Sequence, residues 1–379
     1  MKIVYIIPTL EVKGGAERII VEKANYLSEH LGFDVFIITQ CHHNDKPVVY
    51  PLSEKVHLIN LGIPYYSQYR YKIPKRIWIK WEINRRLRKE TTAAVLQINP
   101  DILIGIPYFK PNIVCQIPCR ARKIIEVHEP LEYLKSDFLN GSWISKLIKI
   151  RDLHTIVKKA DVVVGLTINA RKQWKKAKRV EVIPNFTSMD ISQHSTCSVK
   201  RVIAVGRLTP VKGFERLFEI WKIVSTKYPD WQLDIFGDGR LKNELSNFVH
   251  DYNIKNLTLH GITHNISQAY ANSSICAVTS YYEGFSLVIL EAMMHGVPCV
   301  AFDCPDGPRS IIKDNQCGYL IKNGDNNLFA EKLCNLIESQ QLREQFSNAA
   351  IERAKHFNID DIMEQWRSLF ESLRDDTSH

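Results

Sequence analysis

The sequence predicts an α/β protein built from two doubly wound, Rossmann-like parallel-sheet domains in tandem. The first reason is length, because 379 residues exceed one ordinary hydrophobic core and suit two domains of nearly equal size. The second is that short β-rich runs alternate with helical segments in both halves, which indicates parallel sheets covered on both faces. The third is a break in this alternation at residues 184–198, which are rich in Ser, Thr, Asn and Gln.

The first half opens with a predicted strand over residues 2–8, a turn at Gly14-Gly15 and a helix over residues 16–31. Six further apolar runs, each followed by polar or helical sequence, predict the remaining strands. These runs are residues 34–39, 57–61, 101–106, 123–127, 161–165 and 180–184. The pattern therefore predicts an N-terminal domain of residues 1–184.

The second half repeats the alternation after the polar break. The predicted strands are 200–205, 231–236, 257–260, 274–279 and 298–302, and the predicted helices are 214–226, 241–252, 266–272 and 287–295. We expect a second domain of residues 185–357, then a C-terminal helix of residues 358–379 that crosses back to the N-terminal domain. Ligands bind outside the carboxyl ends of parallel strands, so the expected site is the cleft between the two sheets.

Composition narrows the class of protein. A chain that is 45% hydrophobic and 24% charged is neither disordered nor a coiled-coil rod. No apolar run approaches the roughly 18 to 20 residues of a membrane span, and residues 3–8 are too short for a secretory signal, so we expect a cytoplasmic protein. Nine cysteines without a Cys-x-x-Cys pair fit reduced thiols, and we expect no metal site from them.

Charge is distributed unequally between the halves. Residues 1–180 hold 31 lysines and arginines against 16 acidic residues, a net charge of +15, whereas residues 181–379 carry a net charge of −6. The excess is concentrated in residues 70–90 and 143–180. A basic half predicts a phosphate-bearing partner, which leaves nucleic acid, anionic lipid and a phosphorylated substrate open.

A short basic loop follows the first strand of the second domain. Arg207 and Lys212 lie five residues apart between Gly206 and Gly213, whose backbone freedom permits a tight loop. A guanidinium and an ammonium that converge there would suit a diphosphate leaving group. Taken alone, the loop favours the alternative interpretation of two solvated cations.

A second motif follows the strand at residues 274–279. Glu283 and Gly284 precede a predicted N-cap at Ser286, so the N–H groups of Phe285, Ser286 and Leu287 are expected to form an anion site. Glu291 lies within the following apolar helix, where it could accept hydrogen bonds from a sugar's vicinal hydroxyls. A solvent-facing carboxylate or a partner for a nearby lysine remains an equal alternative for Glu291.

Taken together, these motifs resemble those of the retaining nucleotide-sugar glycosyltransferases of family four, over essentially the full length of the chain. The resemblance rests on Glu283 and Glu291, separated by seven residues, and on the basic loop upstream. It implies the GT-B fold of two facing Rossmann-like domains. The residues to which it assigns roles are Glu283 for the donor sugar, Glu291 for the ribose, Arg207 and Lys212 for the diphosphate, Gly14 and Gly15 for the phosphates from the other domain, and His128, at a strand end, for the sugar.

The resemblance also implies a mechanism without an enzymic nucleophile. In front-face displacement the departing β-phosphate oxygen helps to deprotonate the acceptor hydroxyl, and catalysis rests on positioning and charge stabilisation by His128, Arg207, Lys212 and Glu283. No Asp-x-Asp motif is present, so we expect no metal and no cofactor beyond the nucleotide-sugar co-substrate. Backbone at Gly237 and Ile262 could read a nucleobase, which favours uracil and therefore a UDP-sugar.

The basic segments of the first half predict amphipathic helices. Tryptophan beside lysine and arginine is typical of helices that lie at a membrane surface, although amphipathic helices usually cover their own sheet. The residues predicted to contact a membrane or acceptor are Lys75, Arg76, Trp78, Lys80, Trp81, Arg85 and Trp143. Nucleic acid is disfavoured as a partner, because no recognisable nucleic-acid motif accompanies these cations.

The sequence thus predicts a retaining, metal-independent hexosyltransferase of bacterial surface-glycan biosynthesis, including lipopolysaccharide. It would move a hexosyl or N-acetylhexosaminyl group from a UDP-sugar to a lipid-linked or polysaccharide acceptor. The expected location is peripheral, on the inner face of the cytoplasmic membrane. A nucleotide-sugar epimerase or phosphorylase on the same fold, and a non-catalytic anion- or nucleic-acid-binding protein, stay open as alternatives. A dinucleotide dehydrogenase and a P-loop NTPase are disfavoured, because neither glycine motif is present.

Overall fold

A computed structural model describes residues 1–43, 45–72, 74–107, 111–131, 143–189, 191 and 193–375. The chain divides into two compact units. Unit 1 comprises Met1–Ile183 together with Ile362–His379, and unit 2 comprises Pro184–Asp361. Each unit contains one parallel β-sheet.

Unit 1 contains a seven-stranded sheet in the order β3-β2-β1-β4-β5-β6-β7, in which every neighbouring pair is parallel. Its strands are β1 (Lys2–Ile7), β2 (Asp34–Thr39), β3 (Val56–Asn60), β4 (Ile102–Gly105), β5 (Arg122–Val127), β6 (Val162–Gly165) and β7 (Val180–Val182). Its helices are α1 (Gly15–Glu29), α2 (Lys75–Ile98), α3 (Pro111–Gln116), α4 (Trp143–Lys159) and α5 (Ala170–Gln173), with a 3-10 helix at Tyr65–Arg70.

The core of unit 1 follows from near-continuous apolar strands. All four residues of β4 and of β6 are buried, as expected for strands that are covered by helices on both faces. Helix α2 buries Ile83, Leu87 and Val95 against this core, and α1 buries a stripe that includes Ile19 and Leu27. The apolar period of these helices therefore fixes which face meets the sheet.

Unit 2 contains a six-stranded parallel sheet in the order β10-β9-β8-β11-β12-β13. Its strands are β8 (Arg201–Val205), β9 (Gln232–Phe236), β10 (Leu257–Gly261), β11 (Ile275–Val278), β12 (Cys299–Asp303) and β13 (Gly318–Lys322). Its helices are α6 (Phe214–Lys227), α7 (Lys242–Asp251), α8 (Ile266–Ala271), α9 (Leu287–Met294), α10 (Gly307–Ile311), α11 (Asn326–Glu338) and α12 (Gln340–Ala354), with 3-10 helices at Pro210–Lys212 and Lys355–Phe357. The two doubly wound sheets confirm the fold class that the sequence predicts.

The last helix, α13 (Ile359–Asp375), begins in unit 2 and enters unit 1 at Ile362. Its apolar face is buried, with Trp366 and Phe370 among its core residues. The Nε atom of Arg122 on β5 donates to the carbonyl oxygen of Leu373 at 3.2 Å. The helix therefore completes the hydrophobic core of unit 1 from the far end of the chain.

Three further properties concern the helices, the cysteines and the possible metal ligands. None of the helices in the described ranges combines the length and the apolar character that crossing a bilayer requires. All nine cysteines carry free thiols, and eight of them are buried. Among the residues that the structure describes, no group of three or more His, Cys, Asp or Glu side chains is arranged to hold a metal ion.

Candidate functional site

In unit 2, the loops that follow β8 and β11 meet at the carboxyl edge of the sheet. The 3-10 helix after β8 ends at Gly213, whose φ angle is +61°. A Cβ atom there would lie 2.3 Å from the carbonyl oxygen of Thr279, so only glycine permits this approach. The N–H of Tyr281 donates to the carbonyl oxygen of Val211 at 2.8 Å, which joins the two loops.

This junction brings the predicted basic and acidic residues together. The Nζ atom of Lys212 lies 2.7 Å from Oε1 of Glu283, and the hydroxyl of Ser280 donates to the same oxygen at 2.7 Å. The Lys212 side chain is 21% exposed and that of Glu283 is 10% exposed. A charged pair this close and this poorly solvated is a polar, preorganised group that remains accessible to a ligand.

Arg216, which the sequence analysis did not single out, holds the Glu283 loop in place. Its guanidinium donates to the carbonyl oxygens of Thr279 and Ser280, at 2.9 and 2.7 Å, and to Oδ1 of Asn323 at 2.8 Å. It also stacks on the Tyr281 ring, with Cζ 3.8 Å from the ring centroid. Burial lowers the pKa of the Arg216 guanidinium. Arg216 lies in the first turn of α6, beyond the basic loop, so its contacts with the Glu283 loop become evident only from the folded backbone.

The start of α9 differs in one detail from the prediction. Ser286 occupies the N-cap position, but its backbone is left-handed, with φ +73°, and its side chain makes no capping hydrogen bond. Its buried Oγ atom has no partner among the described residues. No acceptor within the described ranges receives the N–H groups of Phe285, Ser286 or Leu287. The left-handed turn therefore leaves a hydroxyl and several N–H groups available at a helix N-terminus.

Glu291 lies inside α9 and is only 7% exposed, so the solvent-facing interpretation of this residue is wrong. The hydroxyl of Tyr270, on α8, donates to Oε2 of Glu291 at 3.1 Å. His295 then fixes the end of α9, because its Nδ1–H donates to the Glu291 carbonyl oxygen at 2.7 Å while Nε2 lies 2.6 Å from Oγ of Ser267. The Tyr270 hydroxyl therefore orients the Glu291 carboxylate, while His295 fixes the backbone of the same residue.

The remaining predicted donor residues of unit 2 are more open. Arg207 is exposed and forms no ion pair within the described part of the chain, in contrast with Lys212. Gly237 has a φ angle of +145°, and a Cβ atom there would lie 1.9 Å from the carbonyl oxygen of Gly206. Ile262, after β10, is 53% exposed. Thus the structure pairs Lys212 with Glu283 and leaves Arg207 free to meet an anion.

In unit 1, the predicted Gly14-Gly15 turn lies at the N-terminus of α1, which begins at Gly15. Gly14 is buried, Gly15 is exposed, and the hydroxyl of Tyr50 donates to the Gly14 carbonyl oxygen at 3.1 Å. A Cβ atom on Gly14 would lie 2.0 Å from Oε2 of Glu17, so the Glu17 carboxylate lies at this turn. Phosphate binding by Gly14 and Gly15 stays a prediction of the resemblance.

His128 follows β5 and is buried, with a side chain only 5% exposed. Burial lowers the pKa of the His128 imidazole, and the neighbouring Lys23 lowers it further, whereas Glu126 opposes both effects. The motifs of the sequence do not predict Lys23 or Glu126 as partners of His128. The available signal was the position of Lys23 between Ile19 and Leu27 on the apolar stripe of α1, since a lysine on a buried face requires an acidic partner.

The predicted membrane-contact helix is α2, whose first turns carry exposed apolar rings. Ile77, Trp78 and Trp81 are 63%, 65% and 60% exposed, whereas Ile83 and Leu87 of the neighbouring row are buried. Exposed Lys75, Lys80 and Arg85 and the half-buried Arg76 lie among them. The side chain of Trp143 lies outside the described residues. The helix therefore covers its own sheet with one row and presents a second row to solvent.

Comparisons with known proteins match each of the two units to a family of glycosyltransferases. A family model described as glycosyl transferases group 1 matches residues 194–353, and one described as glycosyltransferase family 4 matches residues 13–190. The fold and these matches define the class as glycosyltransferases with the GT-B architecture of two Rossmann-like domains. Within that class, the chain belongs to family four of the glycosyltransferases.

Individual relatives cover nearly the whole chain. An uncharacterized glycosyltransferase of Haemophilus influenzae is 26% identical over 97% of this chain and 99% of its own length. The GalNAc-alpha-(1->4)-GalNAc-alpha-(1->3)-diNAcBac-PP-undecaprenol alpha-1,4-N-acetyl-D-galactosaminyltransferase of Campylobacter jejuni is 28% identical over 99% of both chains. The crystal structure of S. aureus TarM with fondaparinux, alpha-GlcNAc-glycerol and UDP matches with a TM-score of 0.77 at 18% identity, over 97% of this chain and 99% of that one.

Proposed function

We propose that the protein is a retaining, metal-independent glycosyltransferase that moves a hexosyl or N-acetylhexosaminyl group from a UDP-sugar to a lipid-linked or polysaccharide acceptor. The observation that carries the proposal is the Lys212–Glu283 pair beside the open N-terminus of α9. A diphosphate there would accept hydrogen bonds from Lys212, from Arg207 and from the N–H groups at the start of α9. Glu291 would bind the ribose hydroxyls, and Glu283 would orient the donor sugar.

In the proposed reaction the bond between C1 of the sugar and the β-phosphate oxygen breaks, and a bond forms from C1 to the acceptor oxygen. The acceptor proton passes to the departing phosphate, so UDP leaves with the charge that the cations stabilise. His128 contributes as a group beside the sugar. The chain supplies no nucleophile in this scheme, and its residues act by positioning the donor and stabilising charge.

The choice of UDP is supported by the TarM complex, which contains UDP. The choice of a lipid-linked acceptor is supported by the Campylobacter relative, whose name specifies an undecaprenol-PP-linked substrate. Both point to bacterial surface-glycan biosynthesis. A thermal-shift series with UDP-, GDP- and ADP-sugars tests the donor, since a ligand that binds only the folded protein raises its Tm. A Tm that rises with GDP- or ADP-sugars and not with UDP-sugars would contradict the UDP assignment.

Transfer and stereochemistry need a second experiment. The donor that raises Tm is incubated with undecaprenyl-diphosphate-linked N-acetylglucosamine, and the product's anomeric configuration is read by NMR. Retention predicts the same configuration at C1 in donor and product, and inversion would refute that part of the proposal. Release of free sugar without acceptor would indicate hydrolysis in place of transfer, and epimerised donor without acceptor would favour the epimerase alternative.

We also propose that the protein works at the inner face of the cytoplasmic membrane through the exposed row of α2. The exposed rings of Tyr66 and Tyr69 in the preceding 3-10 helix extend this surface. The guanidinium of Arg76 lies 4.5 Å from the Tyr69 ring centroid. Exposed indole rings interleaved with cations suit the headgroup region of an anionic bilayer, where each basic residue adds about 1 kcal/mol.

Co-sedimentation with vesicles tests this surface. We expect binding to phosphatidylglycerol vesicles, weak binding to phosphatidylcholine vesicles, and loss of binding in the Trp78→Ala/Trp81→Ala variant. Tyr252→Ala is the matched control, because Tyr252 is an aromatic residue of unit 2 that is 58% exposed. Equal binding by the double variant and the wild type would remove α2 from the membrane contact.

A further inference from the structure

Unit 1 contains a buried ionic cluster around His128, in which Lys23 and Glu126 have no role in the proposed reaction. Lys23 on α1 and Glu126 on β5 each expose only 1% of their side chains. The Nζ atom of Lys23 donates to Oε1 of Glu126, in a contact that joins residues 103 positions apart. Burying two charges is costly, so such a pair persists only where each charge neutralises the other.

His128 lies against the same carboxylate oxygen. Its Nε2 is 3.3 Å from Oε1 of Glu126, but the geometry is not that of a hydrogen bond. Within the part of the chain that the structure describes, three buried atoms of this cluster have no hydrogen-bond partner: Nδ1 and Nε2 of His128 and Oε2 of Glu126. With no bond to fix its protonation, the charge of the imidazole is set by the electrostatic field of its neighbours.

The C-terminal helix closes this cluster. The Nζ atom of Lys23 lies 4.1 Å from the ring centroid of Trp366, on α13, and 5.6 Å from that of Tyr5, on β1. Trp366 is 2% exposed, so its ring excludes water from the ammonium and offers it a cation–π contact. The last helix of the chain is thereby joined to the residue beside His128.

The titratable groups that face one another here are Lys23, Glu126, His128 and Tyr5. Burial lowers the pKa of Lys23, and the charge of Glu126 opposes that shift. Burial also raises the pKa of the Tyr5 hydroxyl, which therefore stays neutral. With Lys23 and Glu126 both ionised, their charges cancel and the imidazole remains uncharged. Without Lys23, the carboxylate would face the imidazole alone and would favour its protonation.

We propose that Lys23 is a positioning residue that neutralises Glu126 and so keeps His128 an uncharged hydrogen-bonding group, and that Trp366 holds Lys23 in place. Its use in catalysis rests on the proposed function, in which His128 acts beside the sugar. Positive charge develops on the sugar ring as the leaving group departs. An imidazolium beside that ring would disfavour the transition state, whereas a neutral imidazole would not.

The test is an NMR titration of the 13 histidines in ¹³C-histidine-labelled protein, with His128→Gln used to assign the His128 signal. Lys23→Met should raise the pKa of His128 by about one to three units, and Glu126→Gln should lower it. The double variant Lys23→Met/Glu126→Gln should return the value close to that of the wild type, because the two charges leave together. Trp366→Leu should shift it upward by less than Lys23→Met does.

Lys200→Met is the control, since Lys200 forms an exposed pair with Asp230 in unit 2 and should leave the His128 pKa unchanged. An unchanged pKa in folded Lys23→Met would overturn the proposal. If Lys23→Met fails to fold, Glu126→Gln provides the test, and a His128 pKa that does not fall in this variant overturns the proposal. If both single variants fail to fold, the charge-neutral double variant must keep the wild-type value.

The pH profile of transfer separates this proposal from the proposed function. Lys23→Met should lose activity at about pH 6.5 and regain it at about pH 8.5, because the neutral imidazole returns as pH rises. If the His128 pKa moves and the acid limb of kcat/KM does not follow, the electrostatic coupling stands and its assignment to catalysis is overturned. If no sugar is transferred by the wild type, the proposed function fails while the titration still decides the coupling.

Discussion

Replacing Lys212 by methionine tests the central claim about the donor site. The substitution keeps the length of the side chain and removes its charge, so among the described residues Glu283 retains the 2.7 Å hydrogen bond from Ser280. In the proposed reaction the same ammonium stabilises the departing UDP. Loss of one such preorganised donor costs about 2.7–4 kcal/mol of transition-state stabilisation, which corresponds to about a 100- to 1,000-fold fall in kcat.

The effect on folding should be smaller. Lys212 is 21% exposed and Ser280 still donates to the Glu283 carboxylate, so the loss of unfolding free energy should stay below the roughly 3–5 kcal/mol of a fully buried pair, and Lys212→Met should remain folded. Steady-state UDP release with the donor found by thermal shift gives kcat and KM, and urea unfolding gives the stability. The control is Lys355→Met, because Lys355 pairs with Glu352 on the surface of unit 2 with both side chains mostly exposed.

A Lys212→Met enzyme whose kcat stays within about threefold of the wild type would refute the reasoning, since it would show that the ammonium does not stabilise the leaving group. A rise in KM alone would mean that the ammonium binds ground state and transition state equally. Loss of both activity and folding would mean that the ion pair is structural. The Lys355→Met control is expected to match the wild type in all three quantities.

Three further predictions concern the residues that support this site. Tyr270→Phe removes the hydrogen bond to Glu291 and should raise KM for the donor with little change in kcat. Calorimetric titration with UDP should show a loss of less than about 1.5 kcal/mol in binding free energy. Arg216→Met leaves buried carbonyl acceptors without a donor and should lower the free energy of unfolding by about 3–5 kcal/mol in urea; a loss below about 1 kcal/mol would contradict the tethering role. Burial lowers the pKa of His295, so below about pH 6.5 the unfolded chain binds more protons than the folded protein does. The free energy of unfolding should therefore fall as the pH drops, by at most about 1.4 kcal/mol per pH unit. His295→Gln should flatten this dependence in thermal unfolding, and an unchanged slope would assign it to other groups.

The fold could be predicted from the sequence because its signal is local and repeated. Each apolar run of four to six residues followed by an amphipathic helix demands a parallel sheet, and both sheets have the predicted strands. The proximity of Glu283 and Lys212 could be predicted for the same reason, since both residues follow strands of one sheet and therefore reach the same edge. The sequence pattern did not predict that Lys212 and Glu283 form an ion pair. Their contact depends on the conformation of the Glu283 loop, which the hydrogen bonds of Arg216 hold in place.

The amphipathic helix α2 shows a limit of periodicity. The spacing predicts two adjacent apolar rows, and the structure treats them differently, since Ile83 and Leu87 are buried while Ile77 and Trp81 are exposed. Hydrophobic spacing identifies which residues share a face of a helix. It does not report how wide a strip the neighbouring elements cover.

The sequence by itself determined the two parallel sheets and the family, and it singled out Lys212 and Glu283, which the structure brings together. Only the tertiary structure decided which charges are buried and with which partners. Lys23 meets Glu126 across 103 residues, and Arg216 meets Asn323 across 107. Local periodicity is encoded in neighbouring residues, whereas the burial and pairing of a charge depend on segments that only folding brings together. The state of His128 therefore follows from an ion pair that no single stretch of sequence contains.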